Sequence, residues 1–167
     1  MNLRIRSLFS FTLLLAIGAM LGTTQAFGAE QHTPVPVSSV GVSGGALGGG
    51  EPAAAPGYLL SLRRGIFQPG GVVPLHHHPG ALVLSIESGT LTYEVAEGEA
   101  VVTRAAVDGT PGPTEQLGPG TSTTLTAGDA VFEQGVVHVS RNDGHEPVEL
   151  LIAALATVDE PFTQYHE

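Results

Sequence analysis

The chain has 167 residues, with 6 lysines and arginines against 16 aspartates and glutamates, a formal net charge of −10 at neutral pH. An acid excess of this size repels nucleic acid and anionic lipid, so neither is an expected partner. There is no cysteine. That excludes disulfides and cysteine-borne lipid anchors, so the core must hold the fold, with a metal as the other available clamp.

The N-terminus reads as an export signal. Arg4 and Arg6 precede an apolar stretch, Leu8 to Leu21, of about 14 residues, shorter than the ~20 residues a membrane-spanning helix needs. Thr24-Gln25-Ala26 and Ala26-Phe27-Gly28 both fit small-x-small cleavage. Residues 1–28 are therefore expected to be a signal peptide for the general secretory route. The mature chain is expected to be secreted or periplasmic, with no stable membrane insertion after cleavage. Cleavage leaves four arginines and no lysine against the sixteen acids, a net charge of −12. Residues 29–56, including GVSGGALGGG, carry no usable apolar period and predict a flexible Gly/Pro-rich leader.

From Tyr58 the pattern changes to short β-prone runs punctuated by turn residues. Tyr58 to Phe67 is the first, followed by a turn at Pro69-Gly70-Gly71. Val72 to His78, Ala81 to Glu87 and Thr90 to Ala96 follow. In the last, Leu91, Tyr93 and Val95 alternate with Thr92 and Glu94, the pattern of a half-buried strand. Ala100 to Ala105 is next. Asp108 to Gly120 reads as a long surface loop, followed by Thr121 to Thr126, Ala130 to Glu133 and Val136 to Asn142. Asn142-Asp143-Gly144 marks a hairpin turn, and Val148 to Val158 is the last strand. Many short strands and no convincing amphipathic helix predict one all-β domain over residues 57–160, a sandwich or barrel. Residues 161–167 are expected to be a C-terminal tail.

The run His76-His77-His78 carries the clearest chemistry. Strand side chains alternate, so His76 and His78 share a face, about 7 Å apart along the strand, while His77 points the other way. Two imidazoles on one face are half of a metal site. His138, in the strand-like VVHVSRN, is the third candidate. His145 follows the hairpin turn, and His32 and His166 fall in terminal segments. Alternation also sets Leu82, Leu84 and Ile86 on one inward face. With Phe132, Val148, Leu150 and Ile152 they predict apolar walls suited to a small, weakly polar ligand. Tyr93 shares its face with Leu91 and Val95 and is a pocket candidate whose hydroxyl needs a partner. Arg63-Arg64 reads either as a surface pair or as a contact for an anionic substrate.

The spacing around these histidines resembles the two motifs of the cupin superfamily. Gly70 precedes His76-x-His78 by five residues and Gly89 closes the hairpin. Gly128-Asp129, Gly135, His138 and Asn142 follow in order. The resemblance implies a small double-stranded β-helix, a jelly-roll cupin barrel, in which His76, His78 and His138 meet at one end. It also implies a divalent metal there, held with a glutamate. That glutamate falls at position 82, where this chain has Leu82. Three imidazoles without it favour zinc, copper, nickel or iron over calcium or magnesium, and loading outside the cytoplasm favours zinc, copper or manganese over ferrous iron, with manganese weakened by the missing carboxylate. Glu87 has the wrong strand parity to substitute. Glu133, five residues before His138 across a glycine-centred turn, is the alternative ligand or base, or else a solvated turn residue.

Three functional readings stay open. The first is a metal-dependent oxygenase or isomerase acting on a small molecule. The second is a non-enzymatic module for a small ligand or metal. The third is a structural cupin that has lost its metal, which Leu82 favours. The resemblance adds homodimer pairing as an expectation.

Overall fold

A computed structural model describes residues 38–167. The expected signal peptide, the start of the leader and His32 lie outside the described residues. The described chain folds into eleven strands: β1 (Val40–Gly50), β2 (Tyr58–His77), β3 (Gly80–Ser88), β4 (Thr90–Glu97), β5 (Ala100–Thr103), β6 (Thr114–Leu117), β7 (Thr121–Thr126), β8 (Ala130–Gln134), β9 (Val137–Arg141), β10 (Val148–Thr157) and β11 (Gln164–Tyr165). No helix occurs among the described residues. The strands hydrogen-bond in the order β6-β5-β8-β3-β10-β2-β9-β4-β7, with β1 and β11 added along β2. All pairings are antiparallel, and the sheet curls into a nearly closed barrel.

Period-two alternation builds the interior. Leu82, Leu84 and Ile86 of β3, Leu91, Tyr93 and Val95 of β4, and Val148 and Leu150 of β10 are all buried, as their spacing predicts. Phe132 departs from the sequence reading: it is 45 % exposed, while Val131 and Glu133 on either side are buried. Its aromatic character suggested an inward position, but strand parity decides the face, and the parity of β8 turns Glu133 inward instead.

Four segments differ from the expected elements. The turn at Pro69-Gly70-Gly71 is a bend inside one continuous strand, β2, of 20 residues. Gly70 takes φ of 75° there, a left-handed conformation glycine adopts without strain. Asn142 holds the bend through Gly70 N–H to Asn142 O at 3.0 Å and Asn142 N–H to Gly71 O at 2.8 Å. The two ends of β2 therefore pair with different strands: Tyr58 to Phe67 with β10, and Val72 to His76 with β9. Within the expected leader, Val40–Gly50 is strand β1, paired along β2. Its glycines permit close backbone approach: a Cβ at Gly44 would lie 2.0 Å from Arg64 O. Glycine makes an unpartnered chain flexible, but beside a neighbouring strand it allows contact no other residue could make. Thr114–Leu117, inside the expected loop, pairs with β5 as β6. Gln164–Tyr165, inside the expected tail, pairs with His77 and His76 as β11.

Polar groups at the turns close the barrel. Asn142, buried, donates from Nδ2 to Phe67 O at 3.1 Å and Glu146 O at 2.8 Å and accepts from Gly144 N–H at 2.9 Å. Asp129 accepts from the N–H groups of Ala105 and Thr126 and from Arg104 Nη1, at 2.8, 2.9 and 3.0 Å. Burial disfavours its charge, but these donors outweigh that cost and hold the carboxyl below its ordinary range.

Candidate metal centre

His76 and His138 are directly opposite each other in the β2–β9 ladder. Directly paired antiparallel residues project on the same face with Cβ atoms about 5 Å apart. Their rings accordingly meet with centroids 4.1 Å apart. His78 follows the last residue of β2 with the parity of His76, and its ring lies 4.9 Å from that of His76 and 5.6 Å from that of His138. The three offer one ligand nitrogen each, all within 4.8 Å of one another. His77 faces away, as alternation requires, and its Nδ1 lies 2.8 Å from His166 Nε2.

Two of the three rings have a defined tautomer. His76 Nδ1 lies 2.7 Å from Pro74 O, and His78 Nδ1 lies 2.7 Å from Phe162 O. A carbonyl only accepts, so both Nδ1 atoms carry the proton and both Nε2 atoms keep a free lone pair. Burial, reinforced by the neighbouring histidine or arginine charges, pushes His76 and His78 down to about 4. It pushes His138 well below its ordinary value. All three are therefore neutral at physiological pH, the state that ligates metal. His138 Nδ1 is buried with no hydrogen-bond partner among the described residues. Clustered neutral imidazoles with free lone pairs and an orphaned buried nitrogen fit a transition-metal ion.

A carboxylate does face this cluster. Glu133 is only 2 % exposed, with Oε1 3.7 Å from His78 Nε2 and Oε2 3.5 Å from His138 Nδ1. Tyr93, fully buried, donates its hydroxyl proton to Glu133 Oε2 and stacks on His138 at 4.6 Å. Glu133 therefore arrives by register: it is the direct cross-strand partner of Leu82 in the β3–β8 ladder. The chain lacks a carboxylate at position 82 but presents one from the facing residue of the adjacent strand. Burial lifts Glu133 to about 7, although the Tyr93 hydrogen bond opposes the rise. Burial and the Glu133 charge push Tyr93 upward.

In front of the histidines lies a cavity of about 250 Å³. Val42, Phe67, Val73, Leu84, Leu91, Leu150, Ile152 and Phe162 supply apolar wall, and Arg63, Arg64, Ser140 and the three histidines are among its polar groups. Of the four residues expected around the pocket, only Leu84 lines it. Leu82, Tyr93 and Glu133 are absent from its lining: Tyr93 and Glu133 contact the histidines from the interior, and Leu82 is buried opposite Glu133. Sequence reasoning missed Phe162, whose carbonyl orients His78 and whose ring lies 4.4 Å from it. No local pattern in PFTQYHE announces that contact.

No family model matches the sequence, and no curated protein matches it. Among solved structures, the chain is similar to a cupin 2 domain-containing protein from Halorhodospira halophila. That match has 14% identity and a TM-score of 0.46, covering 76% of this chain and 71% of that one. It is similar to the cupin-2 domain protein Rru_A2000 from Rhodospirillum rubrum, with 16% identity and a TM-score of 0.43, covering 77% and 68%. It is also similar to the polyketide cyclase RemF from Streptomyces resistomycificus, with 14% identity and a TM-score of 0.42, covering 78% and 74%. The strand order, with the histidine pair at the end of β2 meeting His138 of β9 inside one end of the barrel, decides the fold. It is a jelly-roll barrel. In this barrel the strand pairings, not the linear motif, bring three histidines and a carboxylate together.

Proposed function

We propose that this chain is an exported cupin that binds a divalent transition metal through His76, His78 and His138 and presents it to a small molecule, as a metal-dependent oxygenase or isomerase. One observation carries the reading: three neutral imidazoles, His76 and His138 buried and His78 half-buried, converge within 4.8 Å, and Nδ1 of His138 is buried with no hydrogen-bond partner among the described residues. Buried polar groups left this way cost about 1–3 kcal/mol each, a cost that a bound cation would offset. Export is supported by the charged, apolar and small-residue pattern of residues 1–28.

Bound there, a metal would supply Lewis-acid polarisation of a substrate oxygen. The Pro74 and Phe162 carbonyls orient the His76 and His78 rings so that Nε2 faces the site, and such outer contacts typically tune affinity. Glu133 supplies the negative charge that three imidazoles lack. The apolar walls exclude water from the ligand, and Arg63 and Ser140 offer polar contacts.

Elemental analysis of the untagged mature protein tests the proposal. About one equivalent of zinc, copper, nickel, iron or manganese is expected, lost in His76→Ala and His138→Ala. Protein that holds no metal as isolated or after reloading would overturn it. A non-enzymatic binding module is the second reading, favoured by a cavity that no carboxylate lines among the described residues. It predicts metal and ligand binding without turnover.

A further inference from the structure

Along β2, alternation turns Ser61, Arg63, Gly65 and Phe67 toward the barrel interior, while Leu62 and Arg64 are exposed. Arg63 is therefore not half of a surface pair. Its guanidinium carbon lies 4.0 Å from the centroid of the Phe162 ring, the same ring that packs against His78. It lines the cavity that the three histidines line.

Its charge has no counterpart among the described residues. Arg104 is paired with Asp129 and Glu115, and Arg141 with Glu94 and Asp143. Arg63 makes no ion pair and no side-chain hydrogen bond among the described residues, in a chain with 16 acidic residues. A half-buried guanidinium keeps five donors to satisfy, and the aromatic ring beneath it satisfies none of them. Burial accordingly pushes its pKa down. The cavity walls beyond it, including Val42, Leu150 and Ile152, are apolar.

We infer that Arg63 is the anchor of an anion subsite, and that the ligand of this cavity is a small organic acid. Its carboxylate meets the guanidinium, its apolar body lies along the β1 and β10 walls, and its other end reaches the histidines. One planar guanidinium matches one carboxylate by two parallel hydrogen bonds. At about 250 Å³ the cavity sits below the ~300–1,000 Å³ of sites for drug-sized ligands, which limits the acid to a short one. Phe162 fixes the plane of the guanidinium from one side, leaving its edge for the ligand.

The inference rests on the cavity being the ligand site of the proposed metal centre. It is tested with hexanoate and hexanamide, equal in length and differing in charge, titrated calorimetrically into the zinc-loaded and the metal-free protein. Hexanoate is expected to bind both forms about ten- to a hundredfold more tightly than hexanamide, the range a charge-assisted hydrogen bond supplies. Arg63→Gln should remove that preference, with zinc content and unfolding midpoint unchanged. Arg64 borders the same cavity from the exposed face of β2, and Arg64→Gln should leave most of the preference in place. A wild-type protein that binds acid and amide alike overturns the inference. So does an Arg63→Gln protein that keeps the preference, because the carboxylate would then sit elsewhere. Failure to load zinc, with the Arg63-dependent preference intact in the metal-free protein, would refute the metal reading and leave the anion subsite standing.

Discussion

Replacing Glu133 by glutamine isolates the cost of the carboxylate behind the histidines. In the folded metal-free protein this group is lifted from 4.5 to about 7 by burial, and every tenfold change in proton affinity corresponds to about 1.36 kcal/mol. Above pH 7 the charged form therefore destabilises the apo-protein by about 3 kcal/mol. Glutamine keeps an oxygen to accept from Tyr93 and gains an amide that can donate to the free Nε2 of His78, 3.7 Å from the present Oε1. Urea unfolding in the presence of a chelator is the assay. Glu133→Gln is expected to raise stability by about 3 kcal/mol at pH 8 and by under about 1 kcal/mol at pH 5, where the unfolded-state carboxyl is itself partly protonated. The same substitution should weaken metal binding, because the negative charge beside the cation is lost. A stability gain that does not change with pH, or a loss at pH 8, would refute the claim that Glu133 is a buried, uncompensated acid.

Three further outcomes follow from the same geometry. Because Leu82 and Glu133 are direct cross-strand partners, the exchange Leu82→Glu with Glu133→Leu should recover the metal affinity that Glu133→Leu alone loses; competition with a chromophoric chelator checks this, and no recovery would break the equivalence. The histidines make apo stability fall in acid: His76 and His78 are held near 4 when folded against about 6.5 when unfolded, so the unfolded state binds more protons between those values and stability drops as pH falls from 6.5 to 4. Glu133 has the opposite sign between 4.5 and 7, which places the apo maximum at about pH 6.5–7; an apo stability that is flat from pH 7 to 5 would contradict this. Asn142→Ala leaves the Phe67 and Glu146 carbonyls and the Gly144 N–H without their partner and should cost about 2–4 kcal/mol by denaturation, with the metal site otherwise intact.

Much of this protein could be read from its residues alone. The all-β class follows from period-two runs and turn residues. The residues alone left a sandwich or a barrel, and the jelly-roll arrangement was what the resemblance to the cupin motifs around His76, His78 and His138 implied. Parity along one strand is a local property, so it separated His77 from its neighbours without any structure. Parity does not cross a turn, so Glu133 could not be placed from His138 through Gly135, nor Phe162 from β10 across Val158 to Pro161. Glycine in 40–50 was equally silent, because the same residue serves a free chain and a strand pressed against another backbone. Only the pairing of β8 with β3 placed the Glu133 carboxylate beside the histidines, opposite Leu82. Only the folding of the C-terminal segment onto β2 put Phe162 against His78 and under Arg63. Residue pattern sets which face of its own strand each side chain occupies; register between distant strands sets which faces meet, and the chemistry of this site lies in that meeting.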